Sequence, residues 1–329
     1  MKVMITGGCG FLGLQLAKRI CAVGQLTTFG GTLQVVEEII LFDPFVPDHL
    51  PGGLDDRVRM VKGDIGDSNR IKSLIKGDDI SVFHLASVVS FEAEQNFDLA
   101  SKVNIQGLLT LLDICRMRKN PVKFIFSSSL AVYGEDLPDL TGDDARRNPV
   151  TTYGMTKVFG ELLVNDMTRR GFIDGRTARL PTVIIRPGRP NKAASSFISG
   201  LFREPLNKEP VCIPVNENLR LAVIGARTCI GGLMALHELD GGAFEMTDRT
   251  VTLPSRSWSV GEMVAVLNQV ADQKNITLGP VRYDHNPEIE RIVASWPGRL
   301  SSERGLKLGL PQDSDLEGII AEYIEDFMP

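Results

Sequence analysis

Short runs dense in Val, Ile, Leu and Phe alternate with segments of helical period through the first half of the chain. The apolar runs cover residues 2–6, 38–43, 58–62, 80–86, 123–128 and 179–185, and amphipathic stretches cover 11–23, 68–75, 97–118 and 151–170. Nearly continuous apolar runs belong to strands covered on both faces. Strands that alternate with helices pair in parallel through right-handed crossovers. The pattern predicts an α/β fold, a doubly wound parallel sheet of Rossmann type with its ligand at the carboxyl ends of the strands.

The rhythm breaks after residue 185. Residues 186–219 hold five prolines and show no clear period. An apolar stretch at 219–239 and a short run at 243–247 read as a return to the sheet, and helices are expected at 260–271 and 316–327. The expected organisation is a nucleotide-binding domain over 1–185, rejoined by 219–247. Residues 186–218 and 248–329 form a smaller, interleaved C-terminal substrate lobe.

Composition narrows the function. Lys and Arg number 36 against 41 Asp and Glu, a net charge of −5, so no basic stripe is available for nucleic acid. Cys9, Cys21, Cys115, Cys212 and Cys229 show no paired spacing and the four histidines no zinc pattern, which suits a reduced, metal-free, cytoplasmic protein. Residues 2–17 imitate a secretory signal, but Gly7, Gly8, Gly10 and Gly13 break up its helix and Lys18-Arg19 stand where a cleavage site belongs. No apolar run elsewhere is long enough to span a membrane.

The chemistry starts at those glycines. Gly7-Gly8-Cys9-Gly10-Phe11-Leu12-Gly13 follows the first strand and opens the first helix. Glycines there allow a tight turn and a close backbone approach to a pyrophosphate, which the helix N-terminus attracts. Leu14 stands where a P-loop needs lysine. Asp43 ends the second strand and suits a ribose diol; an Asp-Pro turn is the alternative reading. No arginine adjoins Asp43, which favours NAD over NADP, although Arg57 and Arg59 keep NADP open.

Farther on, Ser127-Ser128-Ser129 ends a strand at the ligand edge, and Tyr153 and Lys157 share one face at the start of a helix. A lysine ammonium beside a phenol favours the phenolate, as a general base requires.

Thr6–Gly13, Asp64-Ile65, His84-Leu85-Ala86, Asn104, Ser127–Gly134 and Tyr153/Lys157 resemble the extended short-chain dehydrogenases/reductases, the NAD-dependent epimerase/dehydratase family, in order and spacing over essentially the whole chain. The resemblance implies Asp64 and Ile65 at the adenine, Ala86 and Ser87 beside the ribose, and Leu85 and Pro181 also at the cofactor. It implies Asn104 in a water relay, Ser129 on the reacting oxygen, Tyr153 as acid/base and Lys157 on the nicotinamide ribose. It further implies a homodimer packed through helices 97–118 and 151–170.

Departures from the family pattern choose among its branches. Leu130-Ala131 replaces the acidic pair of dehydratases, and Arg220–Gly225 keeps only the arginine of the nucleotide-sugar epimerase run. Arg179–Gly188, Pro190-Asn191, Ala193–Phe197, Thr152-Tyr153-Gly154, Arg169–Phe172 and Trp296-Pro297-Gly298 are similar to a branch that oxidises the C2 hydroxyl of a four-carbon sugar acid, D-erythronate, with NAD. A small acid needs a cation, and arginine suits a carboxylate. Arg186 is the first candidate, with a salt bridge between lobes as its alternative. Asn191, Ser128 and Ser129 are the candidates for hydroxyls, and Arg189 and Lys192 are further cations. A nucleotide-sugar epimerase or reductase and a non-catalytic NAD sensor are the competing functions; the Tyr153/Lys157 pair argues against the sensor.

Overall fold

The computed structural model describes residues 1–188, 193–244 and 248–328. Six strands run in order from the N-terminus: β1 (Lys2–Thr6), β2 (Glu38–Asp43), β3 (Val58–Lys62), β4 (Ile80–His84), β5 (Lys123–Ser129) and β6 (Asp174–Leu180). β7 (Thr182–Ile184), β8 (Arg220–Gly225), β9 (Thr250–Thr252) and β10 (Arg256–Ser259) follow. The main sheet has the order β9-β6-β5-β4-β1-β2-β3, all parallel, as the alternating pattern predicts.

Helices cover both faces. On one, α1 (Phe11–Val23) brings Leu16 and Ile20 against Val3, Ile5 and Ile39. On the other, α2 (Ser68–Leu74), α3 (Leu108–Cys115) and α4 (Thr152–Arg169) pack Ile71, Leu111 and Val164 against Met4, Phe42, Val82 and Phe124. α1 stops where Gly24 takes the left-handed conformation (φ 73°), open to glycine at little cost. α4 starts at Thr151, whose hydroxyl accepts from Gly154 N at 3.1 Å.

The second lobe is built on the three-stranded sheet β10-β8-β7 with α5 (Ser196–Leu206), α7 (Val260–Lys274) and α8 (Leu316–Phe327). Its core holds Leu201, Phe202, Leu221, Val223, Leu267 and Ile320. Between α5 and α7 in the chain, α6 (Ala226–Glu238) crosses back to lie beside α1 on the main sheet.

Three elements differ from the sequence pattern. The run at 179–185 is two strands, because Pro181 cannot donate to a ladder: β6 ends in the main sheet and β7 begins the second one. β6 starts earlier, at Asp174, where the polar 174–177 stretch hides a strand whose Arg176 is buried on Asp174 at 3.1 Å. The returning segment also differs. Leu219–Leu239 supplies a strand of the second sheet and then α6, and the strand that rejoins the main sheet is Thr250–Thr252. Of the expected 243–247 strand, Ala243 ends a short 3₁₀ turn, and 245–247 lie outside the described residues. Finally, the 97–118 helix is divided: a turn at Phe97–Ala100, a wider π-helical stretch at Ser101–Gly107, then α3. A Cβ on Gly107 would stand 2.5 Å from Ile65 Cγ2, so this glycine lets the helix reach the loop after β3.

Candidate functional site

A cleft of about 360 Å³ opens at the carboxyl ends of the main-sheet strands, between the two lobes. Gly7, Gly10, Phe11, Leu12 and Gly13 line one end, Leu85, Ser87 and Pro181 the middle, and Ser128, Ser129, Tyr153, Lys157 and Arg186 the rest. Thirteen of the candidate residues therefore meet in one cleft.

The glycine end is bare backbone. Gly7 has φ 67°, and a Cβ there would lie 2.8 Å from Ala86 N; a Cβ on Gly13 would lie 2.4 Å from Gly7 O. Gly10 caps α1 without a side-chain hydrogen bond, and the first turn of α1 carries no acid. This is a cradle for an anion at a 13-residue helix's positive end, and it fits a dinucleotide pyrophosphate. Asp43 lies beside it, accepting from Cys9 N at 3.2 Å and Phe45 N at 3.0 Å. Burial raises its carboxyl, against those two bonds. Burial also pushes the Cys9 thiol up to about 11, so it stays protonated in the turn. Arg57 is held by Asp55 and Arg59 by Glu38. Asp64 pairs with Lys102 at 2.7 Å, and Ile65 is buried under Gly107. Asp43, Asp64, Ile65 and Ala86 stand outside the lining of the cleft.

At the other end Tyr153 and Ser129 line the cleft together, and Ser129 Oγ accepts from Ala131 N at 3.1 Å. Lys157 Nζ lies 5.4 Å from the Tyr153 ring centre and donates to Ser127 O at 2.8 Å. Burial pushes the Tyr153 phenol up to about 12, with Ser129 opposing, and pulls the Lys157 ammonium down to about 7, with Glu161 opposing. Behind them His84, bonded to Thr6 at 2.6 Å, is pulled down to about 3 by burial and by Lys157, so it is neutral. Arg186 is partly buried on the second lobe's wall; its N donates to Ser199 Oγ at 3.2 Å and its carbonyl accepts from Arg203 at 2.9 Å. Burial, then Arg203, lowers its guanidinium.

Two expected residues are held by bonds within the protein. Asn104 spends both amide protons on Val88 O and Thr156 Oγ1, and its oxygen accepts from Val88 N and Ser87 Oγ. These bonds brace the 87–88 loop against α4. Ser128 is buried and gives its proton to Glu161 at 2.6 Å, so it serves the scaffold more than a substrate hydroxyl. Asn191, with Arg189, Pro190 and Lys192, lies outside the described residues. Sequence reasoning missed Ser90, which joins the lobes by accepting from Ala194 N at 3.1 Å, and Ser199, which lines the cleft; neither has a local signal.

Residues 3–220 match the NAD dependent epimerase/dehydratase family. The chain belongs to that family. A D-erythronate dehydrogenase of Cupriavidus necator is 41% identical, over 99% of this chain and 98% of its own length. One from Haemophilus influenzae is 39% identical over 99% of both. A solved structure named as a nucleoside-diphosphate-sugar epimerase from Agrobacterium tumefaciens superposes with a TM-score of 0.89 at 34% identity, covering all of this chain and 94% of that one. The L-threonine 3-dehydrogenase of Trypanosoma brucei shares the fold, with a TM-score of 0.84 at 23% identity and coverage of 99% and 96%. With two full-length relatives of this kind, the chain is a nicotinamide-dependent dehydrogenase of the family. Among the described residues no helix is long and apolar enough to cross a membrane.

Proposed function

We propose that this enzyme oxidises the C2 hydroxyl of D-erythronate, or a closely similar four-carbon sugar acid, to the 2-oxo acid, with NAD as the cofactor. The observation that carries the reading is the joining of Ser129, Tyr153 and Lys157 at one end of a cleft whose other end is the glycine cradle. The names of the two full-length relatives support the substrate. The engagement of Arg57 and Arg59 by acids of their own supports NAD over NADP.

The glycine cradle would hold the pyrophosphate, Asp43 the adenosine ribose, Asp64 and Ile65 the adenine, and Lys157 the nicotinamide ribose. When bound, a nicotinamide in this cleft would supply the acceptor for the C2 hydride. Tyr153 accepts the hydroxyl proton. Its phenol is held high by burial in the free protein, so a cation is needed to favour the phenolate, and Lys157 is placed one helical turn away to give it. Ser129 donates toward the oxygen as it gains carbonyl character. Arg186, on the opposite wall, takes the carboxylate. The name of the Agrobacterium structure favours a second reading, a nucleotide-sugar epimerase. Against it, Arg220, the residue that kept the epimerase pattern, is bound to Glu262 at 2.7 Å and Ser257 O at 3.0 Å.

The test is purified protein with NAD and a panel of four- to six-carbon sugar acids, followed by NADH absorbance. Net NADH on D-erythronate is the expected result. Silence on every acid, together with conversion of UDP-sugars, would sink the reading. A homodimer through the 97–115 segment and α4 belongs to the same proposal.

A further inference from the structure

Behind the reacting residues lies a buried charge cluster that the reaction as described does not use. Glu161 is fully buried on α4, one helical turn beyond Lys157. Its carboxylate accepts from Ser128 Oγ at 2.6 Å, from Arg179 Nε at 2.8 Å and Nη2 at 2.9 Å, and from Arg147 Nη1 at 3.2 Å. Arg179 is buried too, and its remaining nitrogen donates to Tyr133 Oη at 2.8 Å and Asp143 O at 2.9 Å. A pair this deep gives up the hydration of both charges, and an apolar pair of like volume is often as stable, so fold stability is a weak reason for it.

The contacts of the pair point to the site. Ser128, bonded to Glu161, stands between Ser127, whose carbonyl holds Lys157, and Ser129, which lines the cleft with Tyr153. The groups facing Lys157 are Tyr153 and Glu161 from its own helix, the Ser127 carbonyl and Phe126 ring from β5, and His84 from β4. Of these His84 is neutral, and Glu161 brings a carboxylate.

We propose that Glu161 is a positioning residue for the dehydrogenase reaction, acting as the countercharge of Lys157 and as the clamp that holds Ser127–Ser129 against α4. The proposal rests on Tyr153 being the base. It makes Arg179 the residue that keeps this carboxylate aimed: two nitrogens grip its two oxygens, so it cannot turn away. Removal of the negative charge lets Lys157 lose its proton at lower pH. The phenolate of Tyr153 is then less favoured, and its formation needs a higher pH.

Glu161→Gln keeps the shape and loses the charge. The acid limb of its kcat–pH profile is expected to move up by about one unit, with kcat at neutral pH about tenfold lower and KM for NAD within about twofold of wild type. Glu161→Asp keeps the charge, so its kcat falls while the midpoint stays. A lone buried Arg179 threatens folding in Glu161→Gln, so the double variant Glu161→Gln/Arg179→Met is measured beside it, and it is expected to fold and to carry the same raised midpoint. A readout without turnover is the NMR titration of the Lys157 Cε signal, assigned with Lys157→Met, which is expected to fall in pH in both Gln variants. A folded double variant with the wild-type midpoint and the wild-type lysine titration overturns the proposal. If wild type oxidises no sugar acid while the lysine titration still moves, the substrate reading fails and the link between Glu161 and Lys157 stands.

Discussion

Lys157 Nζ donates to the carbonyl oxygen of Ser127 at 2.8 Å, and this bond ties the helix that carries Tyr153 to the strand end that carries Ser129. The two halves of the reacting group thus come from elements far apart in the chain and are fixed to each other by the backbone. Tyr153 also lies within the wall of the cleft, as Ser129 does. Tyr153→Phe removes only the hydroxyl. Turnover is expected to fall on the order of 10²- to 10⁴-fold, the usual worth of a positioned acid/base group. NAD should still raise the melting temperature of the variant, because the glycine cradle is untouched. Activity within threefold of wild type would show that Tyr153 is not the base.

Gly7 is the most constrained position of the cradle. Its φ of 67° disfavours any side chain, and a Cβ would press on Ala86 N at 2.8 Å. Gly7→Ala should cost about 1–2 kcal/mol from the left-handed conformation alone. It should also part the turn from the 85–87 loop and raise the Kd for NAD at least about tenfold, as loss of about 1.4 kcal/mol of binding implies. Calorimetric titration with NAD checks the second effect and thermal unfolding the first. Unchanged NAD affinity would remove the turn from the cofactor site.

Much of this was legible in the chain itself, for physical reasons that also explain the gaps. The strands that are apolar on both faces announced the parallel sheet, and the glycine turn announced its ligand edge. Tyr153 and Lys157 could be paired because helical spacing is local. Glu161 was missed although it lies on the same helix face, since a buried carboxylate becomes meaningful only when Arg179, on a strand 18 residues away, closes on it. β6 was misjudged for a similar reason: Arg176 and Asp174 look like surface residues until each is seen buried against the other. The bonds of Asn104 to Val88 and Thr156 are likewise made only in the fold, across 16 and 52 residues. Local chemistry is written in spacing; long-range satisfaction of polar groups is not.

Two buried histidines are expected to weaken the fold as pH falls from 7 to 5. His237 is bonded to Ser81 at 2.7 Å and to Glu238 at 2.6 Å, and it stacks on Phe83 at 5.2 Å. Burial pulls it down to about 4, the Glu238 bond opposing, and burial and Lys157 pull His84 down to about 3. The unfolded chain therefore binds protons that the folded chain refuses, starting near pH 6.5 and ending near each folded value. Stability falls as pH falls through that window, by about 2 kcal/mol for each histidine at pH 5. Melting temperatures measured from pH 7 to pH 5 should drop steadily. His237→Gln, which takes no proton, should give a shallower slope, and a slope equal to that of wild type would assign the acid sensitivity elsewhere.

The segment 97–115 packs beside α4, and together they leave apolar side chains in water: Phe97 is 58% exposed and Leu162 54%. Leu109 and Met155 add to the same two elements. Burial of such side chains between two copies removes apolar surface from water, at about 25 cal/mol per Å². A carboxylate in the middle of that contact would be desolvated without a partner. Sedimentation of wild type should therefore give about twice the 36.1 kDa of one chain. Leu162→Glu should sediment as a monomer and keep its fold, because Leu162 is no part of the cores behind α4. A wild-type chain that sediments as a monomer at micromolar concentration would overturn the dimer, and a Leu162→Glu dimer would move the interface away from α4.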